Sequence, residues 1–173
     1  MNNIGQTTEL ILGQEFLTWL WYRSETHNIF KDLEGNDFSV IMEKRIVVQG
    51  GEGELIETAS VSGAMSELRE ARLGLTTGKK VTRALIRLEQ EPESWSFTLR
   101  AEDFSLGSFK TPKVDTSNEK EDDAESMFFE KIFLLDKGLG FFDLLYKAFI
   151  ELRIDAGWKD EVKRIQSWMY QGS

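Results

Sequence analysis

The feature that most constrains the fold is a pair of segments in which apolar and polar side chains alternate. In residues 83–88 and 95–100 every second side chain is apolar. A period of two is typical of strands that bury one face. Residues 90–94 supply turn chemistry between the segments, so we predict an antiparallel hairpin.

Two further strands are predicted upstream. In residues 38–48 apolar and polar side chains first alternate and β-branched side chains follow. Residues 55–61 form a second short apolar run. The glycine-rich stretch between them, residues 49–54, resembles a phosphate cradle in composition, but a strand follows it, which favours a hairpin turn. The chain therefore contains an antiparallel sheet of about four strands.

Four segments have helical periodicity. They are an N-terminal helix over residues 8–25, a short middle helix over 63–75 that ends before Gly78, a long helix over 124–153, and a short final helix after Asp155. We predict an α+β fold with these helices packed on the sheet. It forms one domain over residues 1–173, with a flexible N-terminus at 1–7 and an acidic loop at 111–124.

The long helix carries an apolar stripe in steps of four and three residues, which is a heptad pattern. Its members are Phe128, Ile132, Leu135, Leu139, Phe142, Tyr146 and Phe149. Globular cores use similar stripes, so we expect this one to pack across the sheet. The alternative is a homodimer through the 128–149 helix.

Composition excludes several classes of site. The chain has no cysteine, which excludes disulfides and thiolate chemistry and fits a cytoplasmic protein. No secretory signal or long apolar run is present, so we expect no membrane association. The lone histidine, His27, has no partner set, and the acidic run lacks the order of a calcium loop. We therefore predict no catalytic site, no metal, no cofactor and no enzyme activity.

Positive charge is clustered although the formal net charge is −9. An acidic protein repels a polyanion on average, so any contact with nucleic acid requires a local patch. One candidate patch is present: Arg69, Arg72, Lys79, Lys80, Arg83, Arg87 and Arg100. These side chains either contact phosphates in a row or form an ordinary charged surface paired with Glu67, Glu70 and Glu89.

Five stretches of sequence, in the region from Leu12 to about Trp168, together resemble a known protein family. They are residues 12–21, 50–54, 68–75, 78–81 and 98–101. In this order they resemble the divergent branch of the RdgC-like recombination-associated proteins. The resemblance implies a cytoplasmic, nucleoid-associated regulator that dimerises and binds duplex DNA with little sequence preference. It covers the C-terminal part of longer members, without their N-terminal portion, and it carries over no catalytic residue.

Two functions follow from these observations. The first is a non-enzymatic DNA-binding accessory protein of recombination or replication, acting through the basic patch on duplex DNA. The second is a protein–protein interaction or regulatory module that binds no nucleic acid and uses its aromatic first helix or its heptad helix. Net acidity favours the second, and the order of the resembling stretches favours the first.

Overall fold

The computed structural model describes residues 4–50, 58–61, 65–114 and 124–171. Its helices and strands follow one another in the order α1 (Ile4–Thr26), β1 (Ile29–Lys31), β2 (Asp37–Gln49), β3 (Thr58–Val61), α2 (Met65–Thr76), β4 (Lys80–Gln90), β5 (Glu93–Arg100), β6 (Leu106–Lys110), α3 (Ala124–Ile154) and α4 (Trp158–Tyr170). The predicted α+β class and all four helices are confirmed.

The strands form one antiparallel sheet in the order β1-β2-β4-β5-β6, and β3 pairs with β2. The predicted hairpin is β4–β5, in register from Arg83 opposite Arg100 to Gln90 opposite Glu93. Within the described residues the sheet has six strands, where about four were expected. Both additions, β1 and β6, are too short to show an alternating pattern.

Parts of the sequence predictions lie outside the described residues. These are 1–3 of the N-terminal segment, 51–57 with most of the glycine-rich turn, 62–64, and 115–123 of the acidic loop. Residues 4–7 belong to α1, which begins earlier than the periodicity indicated. Residues 111–114 follow β6 without regular structure.

The core lies between one face of the sheet and the helices. The apolar positions of β2, β4 and β5 are buried there, which confirms the predicted alternation. Aromatic residues of α1 fill the space above them: Phe16, Trp19 and Trp21 are each almost completely buried. The aromatic first helix is therefore a core element, and these rings are not available to a partner.

The long helix α3 changes character along its length. Its C-terminal half packs on the core through Phe141, Leu145 and Phe149. The N-terminal half buries Leu134 and Gly138 on that side and exposes apolar side chains on the other. The heptad stripe therefore belongs to the core only in its second half, and the expectation that all of it packs across the sheet is wrong.

Gly138 sets how closely α3 approaches the sheet. A Cβ atom at this position would lie 2.5 Å from Cδ1 of Trp95, so only glycine fits. The indole Nε1 of Trp95 then donates a 2.8 Å hydrogen bond to the carbonyl oxygen of Leu134. This bond satisfies a buried polar group and fixes the position of α3 along β5.

Candidate nucleic-acid interface

Three of the predicted basic residues line one groove. Arg83 on β4 lies directly opposite Arg100 on β5, and Lys80 begins β4. They line a cavity of about 540 Å³, together with polar residues that include Gln14, Gln49 and Thr82. We call the surface of Lys80, Arg83 and Arg100 the cationic groove. All three side chains are exposed, and none forms an ion pair with a described residue.

A local irregularity explains how Lys80 and Arg83 reach the same groove. In a regular strand, residues three apart point to opposite faces. Here Val48 pairs with Val81 while Val47 pairs with Arg83, so Thr82 is an extra residue in β4. Such a bulge resets the alternation and re-aims the side chains that follow it. Because the bulge is a property of pairing, the sequence alone carried no signal for it.

Acidic side chains near the cationic groove reduce its positive electrostatic potential. Glu102 lines the groove beside the three basic residues. Hydrogen bonds from Ser105, the largest cause, and the nearby positive charge of Arg100 lower the pKa of Asp103 below its ordinary value. Both carboxylates follow β5 in the chain. The cationic groove is therefore lined by three basic side chains and one carboxylate, that of Glu102.

Arg87 lies on the same sheet face but its charge is already engaged. Its Nε donates to Glu43 across 2.6 Å, and a second nitrogen contacts Glu89. The two carboxylates come from the neighbouring strand and from β4 itself. Pairing with Glu89 is the ordinary charged-surface arrangement considered from the sequence. Arg87 is thus a poor phosphate ligand.

Arg72 is engaged at a junction of helices, with its side chain 17% exposed. It donates to Glu25 across 2.9 Å, and its guanidinium lies 5.4 Å from the ring centroid of Trp168. Glu25 also accepts hydrogen bonds from the indole groups of Trp21 and Trp168. Arg72 therefore joins α1, α2 and α4 and takes no part in the cationic groove.

The two remaining predicted residues lie outside the cationic groove. Arg69 is exposed on α2, and Lys79 is half-buried with its aliphatic stem beside Gly74. Neither lines the cavity that holds Arg83 and Arg100. Of the seven candidates, the structure brings together Lys80, Arg83 and Arg100.

The described residues contain no group of three histidine, cysteine or acidic side chains placed to hold a metal ion. His27 is exposed just beyond α1, where its backbone N–H donates to the carbonyl of Arg23. None of the described helices combines the length and hydropathy needed to cross a bilayer.

Comparison with known proteins gives no information on the cationic groove. No family model, no curated protein and no solved structure matches this chain, so the RdgC-like resemblance remains a prediction from the sequence.

Proposed function

We propose that the protein binds duplex DNA with little sequence specificity through Lys80, Arg83 and Arg100. The observation that carries the proposal is the convergence on one groove of three exposed cations that form no ion pair with a described residue, in a chain of net charge −9. Phosphate binding draws most of its free energy from cations that displace condensed counterions. The cationic groove brings three such cations together.

The geometry favours phosphate contacts over base contacts. Directly opposed residues on antiparallel strands have Cβ atoms about 5 Å apart, so Arg83 and Arg100 project side by side. Two guanidinium groups at that spacing suit bidentate hydrogen bonds to backbone phosphate oxygens. Phosphate contacts position a protein on DNA without reading its sequence. This supports sequence-tolerant binding.

The proposed role is that of a non-enzymatic accessory protein of recombination or replication in the cytoplasm, associated with the nucleoid. Binding through Lys80, Arg83 and Arg100 requires no cofactor. The biological process comes from the RdgC-like resemblance and from no contact in the structure. The DNA-binding proposal is independent of it, because it rests on the charges themselves.

A second copy of the chain is the partner we propose for the exposed side of α3. The exposed face comprises Phe128, Phe129, Ile132, Phe133, Leu135 and Leu139. Aromatic side chains carry 150–250 Å² each, so this face leaves on the order of 500 Å² of apolar surface in water. Two copies related by a twofold axis would bury about 1,000 Å², near the minimum for a specific interface.

The alternative function, an interaction module that binds no nucleic acid, is favoured by the same face. A heterologous protein that covers Phe128 to Leu139 would use it as a helix-binding surface. The described part of α1 offers no comparable surface, because its aromatic rings are buried. The two functions differ in whether substitutions in the cationic groove would affect binding.

Charge reversal tests the DNA-binding proposal. Arg83→Glu and Arg100→Glu should each weaken binding of a fluorescent 20-base-pair duplex roughly tenfold in low salt, equally for unrelated sequences. Lys147→Glu is the matched control, since Lys147 is an exposed cation on α3 and lies outside the groove. Equal affinity of Arg83→Glu and Lys147→Glu would remove the groove from the binding site.

A further inference from the structure

A second groove adjoins the cationic one. It lies between α1 and α4, beside the end of α2, and has a volume of about 320 Å³. Its walls are mostly apolar, and we call it the apolar groove. Gln14 and Lys80 line both cavities, so the two grooves meet at these residues.

We propose that the apolar groove binds a small amphipathic anion of the medium-chain carboxylate class. The aliphatic tail would lie along α4 and the carboxylate would lie at Lys80. This site is additional to the proposed DNA-binding function and uses different side chains, apart from the residues at the junction. The inference rests on the shape, lining and charge of the groove.

The lining fits an extended tail. Trp158, Val162, Ile165 and Met169 follow one side of α4 in steps of four, three and four residues. At 1.5 Å per residue this stripe is about 16 Å long. An apolar wall of this length suits a linear chain better than a compact ring system. The volume lies at the lower end of the range for small-molecule sites, about 300–1,000 Å³.

The charge distribution fits an anionic head at one end. Lys80 is exposed and forms no ion pair with a described residue. The carboxylate in the wall, Glu15, accepts a 2.6 Å hydrogen bond from Arg153, so its charge is balanced by a fixed partner. The free charge at the junction of the grooves is therefore positive, which favours a carboxylate over a neutral or cationic head.

Isothermal titration of the purified chain with decanoate, below its micelle concentration, tests the proposal. We expect a 1:1 complex with a Kd on the order of 10–100 μM, typical of a ligand with about a dozen heavy atoms. Decanol should bind at least tenfold more weakly because it lacks the charge. Equal affinity for decanol and decanoate, or no binding of decanoate at 1 mM, would overturn the proposal.

Variants locate the site. Ile11→Glu places a charge in the exposed rim of the groove and should abolish decanoate binding, and Val162→Glu should do the same from α4. Ile29→Glu is the matched control, because Ile29 has a similar exposure of 52% and lies outside the groove. Lys80→Gln should weaken decanoate about tenfold without affecting decanol. Decanoate binding that survives Ile11→Glu, in protein with unchanged circular dichroism, would contradict the assignment.

Different variants distinguish decanoate binding from DNA binding. Ile11→Glu should lose decanoate and retain duplex DNA, whereas Arg100→Glu should lose DNA and retain decanoate. A chain that binds DNA but not decanoate would overturn only this inference. Loss of decanoate binding on Arg100→Glu would also overturn it, since the carboxylate would then lie in the cationic groove.

Discussion

Arg72 lies 2.9 Å from Glu25 and 5.4 Å above the ring of Trp168. These contacts bring an arginine that was predicted to meet phosphate into a junction of three helices. Glu25 accepts hydrogen bonds from two indole groups and the guanidinium, so it is close to fully satisfied. The arrangement stabilises the packing of α1, α2 and α4 on one another.

Replacing Arg72 should therefore affect stability and leave DNA binding unchanged. Arg72→Ala removes a charge-assisted hydrogen bond and a cation–π contact, which we expect to lower the free energy of unfolding by about 1–2 kcal/mol. Urea denaturation followed by tryptophan fluorescence measures this loss. Arg69→Ala, at an exposed position on the same helix, should change stability by less than about 0.5 kcal/mol. A stable Arg72→Ala protein with weakened DNA binding would show that Arg72 faces phosphate.

Gly138 and Gly140 lie on the same helix, α3, and allow a direct comparison of two glycine-to-alanine substitutions. Gly138→Ala forces a methyl group into Trp95 and should destabilise the fold by about 1–3 kcal/mol, because the well-packed ring has to move. Gly140 has no atom within 4 Å of an added Cβ. Gly140→Ala should stabilise the protein by about 0.5–1 kcal/mol through helix propensity. Thermal unfolding of both variants at equal concentration shows whether each substitution lowers or raises Tm. An unchanged Tm for Gly138→Ala would mean that α3 does not pack closely on β5.

Self-association should depend on the exposed half of α3. The wild-type chain is expected to run as a dimer of twice 19.9 kDa at micromolar concentration, and Phe133→Glu should give the monomer mass. Ile154→Glu is the control, since Ile154 is 80% exposed at the other end of the same helix. Light scattering over a dilution series measures both. A wild-type chain that is monomeric at every concentration excludes the dimer and leaves the heterologous partner as the occupant of this face.

Glu102 should oppose DNA binding, because its carboxylate lines the cationic groove. Glu102→Gln removes one negative charge near the phosphates and should raise duplex affinity two- to fivefold in low salt, the effect of about 0.5–1 kcal/mol. Glu91→Gln makes the same charge change at an exposed turn and should have little effect. Equal responses to the two substitutions would indicate that only net charge matters and that the groove is not the site.

Much of the fold could be predicted because its signals are local. The alternation of residues 83–88 and 95–100 comes from one buried face, and it correctly indicated the β4–β5 hairpin. The strands that were missed, β1 and β6, owe their conformation to pairing with β2 and β5. Three to five residues carry too little periodicity to be recognised without their neighbours.

The candidate site was less predictable, because it depends on which charges find partners. Nothing in the sequence near Arg87 indicated that Glu43, on another strand, would neutralise it. Likewise, the extra residue Thr82 brings Lys80 and Arg83 into one groove only through its register against β2. Clustering in the sequence placed the candidate cations in one segment of the chain, and tertiary contacts determine which of them form no ion pair with a described residue.

The salt dependence of duplex binding is the sharpest test of DNA binding through the cationic groove. Three phosphate contacts per chain predict that log K falls against log[salt] with a slope of roughly −2.7, and that Arg83→Glu reduces the steepness by about one. Fluorescence anisotropy between about 50 and 200 mM salt gives both slopes. A slope near zero, or one that Arg83→Glu and Arg100→Glu leave unchanged, would contradict DNA binding by the cationic groove.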